Sequence, residues 1–245
     1  MPDLHPATRG FAGADRYERG RPDYPAAAVA RIASALDLRR GRTVLDLAAG
    51  TGKLTRLLVP TGANIVAVEP VREMRAELEQ RVRGIGVLAG TAERIPLTDG
   101  FVDAVTVGQA FHWFDADAAL REIRRVLGPG GGVALIWNAR DERDPLQAAL
   151  SKIVEPLAGD TPGRRQRDWK TLLAENGLFE RTERVLFEHV QHVDEQAVVD
   201  RVLSTSFIAA APADVRADVE RRVRAVARGA TTLPYMTELY LGYAR

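Results

Sequence analysis

The chain has 245 residues, 46% of them hydrophobic, and its 34 Lys and Arg are balanced by 33 Asp and Glu. That length suits one α/β domain with a full apolar core, and a net charge of +1 leaves no broad electrostatic footprint for DNA or RNA. Zero cysteines exclude disulfides and thiolate metal sites, no apolar run is long enough for a membrane span, and Met1-Pro-Asp-Leu-His-Pro6 lacks the pattern of a secretory signal, so a cytoplasmic location is expected.

Residues 1–25 are polar, rich in Gly and Pro, and carry Tyr17, Arg21-Pro22 and Tyr24-Pro25. Such a segment builds no core of its own, so it is a tail or a strap; the tyrosines favour a strap. Ala26 to Leu38 reads as a helix, with Val29, Ile32, Ala33 and Leu36 on one face.

Thr43-Val-Leu-Asp-Leu47 is an apolar, strand-like run that breaks at Ala48-Ala-Gly50-Thr-Gly52, then resumes at helical spacing with Leu54, Leu57 and Leu58. Glycine at such a turn permits positive φ and removes the Cβ that would hold a ligand off the backbone. A phosphate-binding loop of the G-x-x-x-x-G-K-[ST] type fails, because Leu47 stands at its first glycine and Leu54 follows Lys53. The dinucleotide pattern G-x-G-x-x-G lacks its third glycine, since Thr55 occupies that place. Asp46, just ahead of the turn, suits a cationic ligand group better than a phosphate.

Asp46-Leu-Ala-Ala-Gly50-Thr-Gly52 resembles motif I of class I S-adenosylmethionine-dependent methyltransferases, (D/E)-x-G-x-G-x-G, with Ala48 in place of the first glycine. The resemblance implies a Rossmann-like, doubly wound, mostly parallel seven-stranded sheet with an antiparallel last strand. It also implies S-adenosylmethionine as cofactor. Tyr17 and Arg21 match a Y-x-x-x-R-P-x-Y-P stretch that lies near the cofactor in related enzymes, although an arm packed for stability reads equally well.

Ala63 to Pro70 is a second apolar strand ending in Glu69, 23 residues after Asp46. Acids are uncommon inside buried strands, and one at this place and distance suits the two hydroxyls of a ribose. A helix from Val71 to Arg83 and a short strand from Gly86 to Gly90 follow. By resemblance, Ala92 and Glu93 lie beside the adenine, and Ala48, Gly50, Gly52, Pro70, Gln109 and Ala110 join Asp46 and Glu69 around the cofactor. Phe101 to Val107 is a fourth strand, with Phe111-His-Trp-Phe114 beyond its carboxyl end, where ligands bind in open α/β sheets. Phe111 and Trp113 are therefore candidate acceptor-binding residues. His112 is a candidate general base, or else a packing ring or hydrogen-bond donor.

Ala116 to Leu127 reads as a helix stopped by Gly128-Pro-Gly-Gly-Gly132, and Val133 to Asn138 as the fifth strand. Strand–helix alternation over 43–138 implies parallel strands with right-handed crossovers. The remainder is mostly helical: Trp169 to Asn176, Asp194 to Leu203 and Asp214 to Arg228, with a strand-like run from Arg184 and a last strand over 233–245. His189 and His192 would face opposite sides of that run, so no metal site is expected.

The expected organisation is a single domain: strap 1–25, cofactor-binding half 26–138, helical substrate region 139–232 as a cap after strand five, and last strand 233–245. Trp137 and Phe207 are further acceptor-wall candidates, as are Trp169, Ser204 and Ser206, although ordinary core packing serves each singly. The whole pattern is similar to the small-molecule type 11 methyltransferases, including trans-aconitate methyltransferase-like proteins, chiefly over residues 15–138. It implies methyl transfer, most simply to oxygen, of a small-molecule acceptor by direct in-line displacement. Two alternatives share the sheet: an NAD(P)-dependent oxidoreductase, which lacks its third glycine and Tyr-x-x-x-Lys pair here, and a non-catalytic nucleoside-binding regulator.

Overall fold

The computed structural model describes residues 20–162 and 168–245; Tyr17 lies outside the described residues. Helix α1 (Ala26–Ala35) leads into β1 (Thr43–Leu47), the short α2 (Thr55–Leu58), β2 (Asn64–Val68), α3 (Arg72–Arg81), β3 (Gly86–Leu88), β4 (Val102–Gly108), α4 (Ala116–Val126) and β5 (Leu127–Arg140). After these come α5 (Pro145–Val154), α6 (Trp169–Glu175), β6 (Phe179–His192), α7 (Glu195–Leu203), α8 (Ser206–Ala209), α9 (Ala213–Ala227) and β7 (Thr232–Ala244).

The seven strands form one sheet in the order β3-β2-β1-β4-β5-β7-β6, with β7 the antiparallel member. Asp46 stands beside Ala67 of β2 and Thr106 of β4, so the carboxyl ends of three strands finish level. Alternation sorts the side chains onto two faces. Leu45, Leu47, Val105 and Val107 join one core with α4, while Val44, Ala104, Ala134 and Ile136 join another with α1. Burial on both faces is what makes these strands near-continuous apolar runs. Aspartates start four of the helices: Asp115, Asp144, Asp168 and Asp194 each accept a backbone N–H from the first turn.

Two strands start well ahead of the sequence expectation: β6 at Phe179 instead of Arg184, and β5 at Leu127 instead of Val133. The glycine run ends no element; β5 begins at Leu127 and continues through it. Val102 pairs with Leu127 and Ala104 with Gly132, so the intervening residues swell out of the ladder as an irregularity, helped by φ +71° at Gly130.

The chain packs as two compact units. The sheet unit comprises 24–138, 162, 168–187 and 237–245; the helical unit comprises 20–23, 139–161 and 188–236. In the helical unit, Leu150 of α5, Val198 and Val202 of α7, Ile208 of α8, Val219 and Val223 of α9, and Leu233 and Tyr235 of β7 form its own apolar core. Asp194 caps α7 as the sequence indicates, and Asp218–Arg222 and Glu220–Arg224 pair along the wet side of α9 at 3.7 and 2.7 Å. Among the described residues no helix is long and apolar enough to cross a membrane.

Candidate cofactor and acceptor site

β1 ends in a backbone that only small residues tolerate. Ala48, Gly50 and Gly52 all have positive φ, at +54°, +59° and +88°. At Gly52 an added Cβ would lie 2.5 Å from Leu78 Cδ1, so glycine is required there on two counts. Ala48 holds the left-handed conformation despite its Cβ.

Asp46, expected beside the cofactor, is held within the turn. Its side chain is buried and accepts the hydroxyl hydrogens of Thr55 at 2.5 Å and Thr106 at 3.0 Å. Burial pushes its carboxyl up to about 6, against the pull of those two hydroxyls. Asp46 thus ties the turn to the start of α2 and to β4.

Glu69 is the acid that holds the turn from the other side. Its Oε2 accepts the Gly50 N–H and its Oε1 the Val71 N–H, both at 2.9 Å. Burial raises its pKa above the usual carboxylate range, opposed by those backbone bonds. Arg75 donates to the carbonyls of Glu69 and Pro70 at 2.7 and 2.8 Å and so fixes the strand end. Each carboxylate oxygen has a second lone pair, leaving room for two ligand hydroxyls. A turn with no Cβ at Gly50, the residue bonded to such a carboxylate, fits the ribose of a nucleoside.

Gln109, Ala92 and Glu93, also expected at the cofactor, lie in this unit too. Gln109 follows β4 with φ +59°, and its side chain donates to the Asn138 carbonyl at 3.2 Å. Ala92 is buried, and Glu93 accepts the Asp115 N–H at 3.1 Å, which ties the loop after β3 to the start of α4.

The aromatic stretch divides. Phe111 and Trp137, both expected to contact the acceptor, are fully buried. Phe111 meets Phe114 and Trp169 edge-on at 5.3 and 5.6 Å, and Trp137 stacks on Trp169 at 5.3 Å. Both belong to the sheet unit's core: the tight helical turn at 111–113 points Phe111 inward, and Trp137 is a buried member of β5. Trp113 stays half-buried and lies against His112 at 5.2 Å.

His112 is constrained by Trp137. The indole N–H donates to His112 Nδ1 at 3.2 Å. An indole nitrogen is only ever a donor, so Nδ1 must be the acceptor and the neutral ring carries its hydrogen on Nε2. His112 in this tautomer presents a donor and has no free lone pair with which to take a proton, which weighs against the general-base role.

Thr55, Thr106, Arg75 and Tyr24 position this site without having been singled out as its members. The Tyr24 hydroxyl lies so close to Gly108 that an added Cβ there would sit 2.6 Å from it. A threonine in an otherwise apolar strand was the one available signal.

Arg21 and Phe207 belong to the helical unit. Arg21 donates to the Ser204 carbonyl at 3.1 Å, and Phe207 packs against that unit's core. Gly20 lies against α7 so tightly that a Cβ would come within 2.4 Å of the Arg201 nitrogen.

A family profile described as a methyltransferase domain matches residues 45–135. A methyltransferase of Mycobacterium tuberculosis, of uncharacterised activity, is 44% identical over 212 residues, covering 85% of this chain and 81% of its own. The ubiquinone/menaquinone biosynthesis C-methyltransferase of Acidiphilium cryptum is 38% identical over 155 residues, 59% of this chain and 62% of its own. Among solved structures, the YcgJ protein of Bacillus subtilis superposes with a TM-score of 0.61 at 20% identity, over 89% of this chain and 98% of its own, a likeness of fold. Neither the oxidoreductase nor the regulator reading is favoured by these relatives.

Proposed function

The chain belongs to the class I S-adenosylmethionine-dependent methyltransferases, and we propose that it methylates an oxygen of a small-molecule acceptor. The observation that carries the cofactor half is the Glu69 carboxylate bonded to the Gly50 N–H, with acceptor capacity left for a ribose diol. S-adenosylmethionine supplies an already activated methyl group, so the protein's work is to orient the partners and exclude water. Transfer forms the carbon–oxygen bond as the carbon–sulfur bond breaks, the electron pair leaving with sulfur as the neutral thioether. With His112 held as a donor, an acceptor oxygen that is already ionised fits best, because it needs no base. The balanced charge of the chain supports a small molecule over a nucleic acid.

Calorimetric titration with S-adenosylhomocysteine and, separately, NADH tests the cofactor reading. Micromolar binding of the thioether nucleoside, lost in Glu69→Ala, is expected; binding of NADH instead, or of neither, would refute it. The atom methylated is tested by incubating the protein with 13C-methyl-labelled cofactor and a small-metabolite extract. An O-methyl carbon signal in the product is expected. A C-methyl signal would favour carbon, the atom named for the Acidiphilium relative.

A further inference from the structure

The helical unit buries an arginine two of whose donor atoms have no hydrogen-bond partner among the described residues. Arg201, on α7, is 7% exposed, and among the described residues its Nε and Nη1 have no hydrogen-bond partner. The Tyr235 hydroxyl, sealed in the same unit, also has none, and neither does that of Thr205. Arg140, the last residue of β5, has one recorded partner, a long 3.4 Å contact to the Ser151 hydroxyl, which itself donates to Glu142 at 2.7 Å. Arg21 follows Gly20, whose close approach to Arg201 sets the strap on α7.

These groups feel one another. Burial first, then the cations of Arg201 and Arg21, holds Arg140 down at about 9, while Tyr235 and Glu142 pull the other way. Two nearby acids are engaged already: Glu142 by Ser151, and Asp200 by the Gln196 amide at 3.2 Å. A folded protein rarely leaves a buried guanidinium unsatisfied, because desolvating a cation without a partner costs free energy. An arginine fork matches the two oxygens of a carboxylate or phosphate.

We propose that Arg140 and Arg201, with Arg21 beside them, form an oxyanion-binding site in the helical unit for a ligand that carries a carboxylate or phosphate. The site stands on these arginines and is independent of the methyl-transfer reading above.

The test is calorimetric titration of the full chain with citrate and with inorganic phosphate, against sodium chloride at matched ionic strength. The same titrations are run on Arg201→Met, Arg140→Met and, as a control, Arg221→Met on the exposed side of α9. Wild type and the control are expected to bind an oxyanion, and both site variants at least tenfold more weakly. Tighter citrate identifies a carboxylate anchor, and tighter phosphate a phosphorylated one. A structural arginine would destabilise when removed; here Arg201→Met is expected to keep or raise the anion-free Tm, by up to about 2–4 °C. S-adenosylhomocysteine titration of each variant separates the two proposals: retained nucleoside binding with lost oxyanion binding is expected. Oxyanion binding no stronger than chloride, equal loss in the control, or a markedly lower Tm in Arg201→Met would overturn the site. Loss of nucleoside binding by the wild type would overturn the methyl-transfer reading and leave the anion site standing.

Discussion

The indole N–H of Trp137 donates to Nδ1 of His112 across 3.2 Å, and Trp137 is itself clamped face to face on Trp169. One buried ring thereby sets the proton position of another at the edge of the site. The neutral tautomer at pH 8 is expected to be Nε2–H, with Nδ1 unprotonated. Long-range nitrogen–proton NMR of the histidine rings reads this directly, with Trp137→Phe as the control that removes the constraint. A population dominated by Nδ1–H in the wild type would restore His112 as a candidate base.

Asp46 gives the chain a pH signature. Its folded pKa, about 6, lies above the ordinary value of 3.8, so the folded state holds a proton that the unfolded state has released. Its stabilising contribution is therefore complete below about pH 4 and is lost as pH rises through 6. The wild type should gain on the order of 2 kcal/mol relative to Asp46→Asn between pH 7 and pH 4. Urea unfolding of both proteins across that range measures it, and parallel curves would show that Asp46 does not titrate there.

Gly52 tolerates no side chain. A Cβ would enter Leu78, and φ of +88° is unfavourable for any L-residue with one. Gly52→Ala is expected to cost on the order of 2 kcal/mol and to weaken S-adenosylhomocysteine binding. Denaturant midpoints with calorimetry check both, and an unchanged midpoint would show that the turn relaxes more easily than its packing implies.

Ala48 lies in the same turn with the opposite expectation. It already carries a Cβ at φ +54°. Ala48→Gly relieves a left-handed alanine worth about 1 kcal/mol or more, offset by about 0.4–1 kcal/mol of added freedom in the unfolded chain. Stability should stay level or rise slightly, with nucleoside affinity retained. A loss above about 1 kcal/mol would mean that the Ala48 methyl packs more than the turn geometry suggests.

The first part of the sheet was legible in the sequence because β1, β2 and β4 are largely apolar runs that end beside an acid or a glycine. Glu69 was legible because an acid at the end of such a run has few structural reasons to be there. The burial of Phe111 and Trp137 was less legible. An aromatic residue near a strand's carboxyl end has the same spelling whether it faces a ligand or the core; the tight turn at 111–113 points Phe111 inward, and Trp137 is enclosed within β5. Gly128–Gly132 misled because glycine is both a helix stop and the residue that lets a strand swell. Arg21, Arg140 and Arg201 share no local spacing at all; only the packing of α7 against the strap assembles them.

The position of β7 between β5 and β6 bears on how the protein is born. Every other strand precedes it in the chain, so β6 emerges from the ribosome before the neighbour that joins it to the sheet. Until β7 is synthesised, β5 and β6 expose unpaired backbone along a gap next to one edge of the sheet, the kind of edge that aggregates. Synthesis that stops short of Thr232 would leave that gap permanently open. β7 therefore closes the sheet, and nascent chains lacking it should be clients of chaperones and proteases.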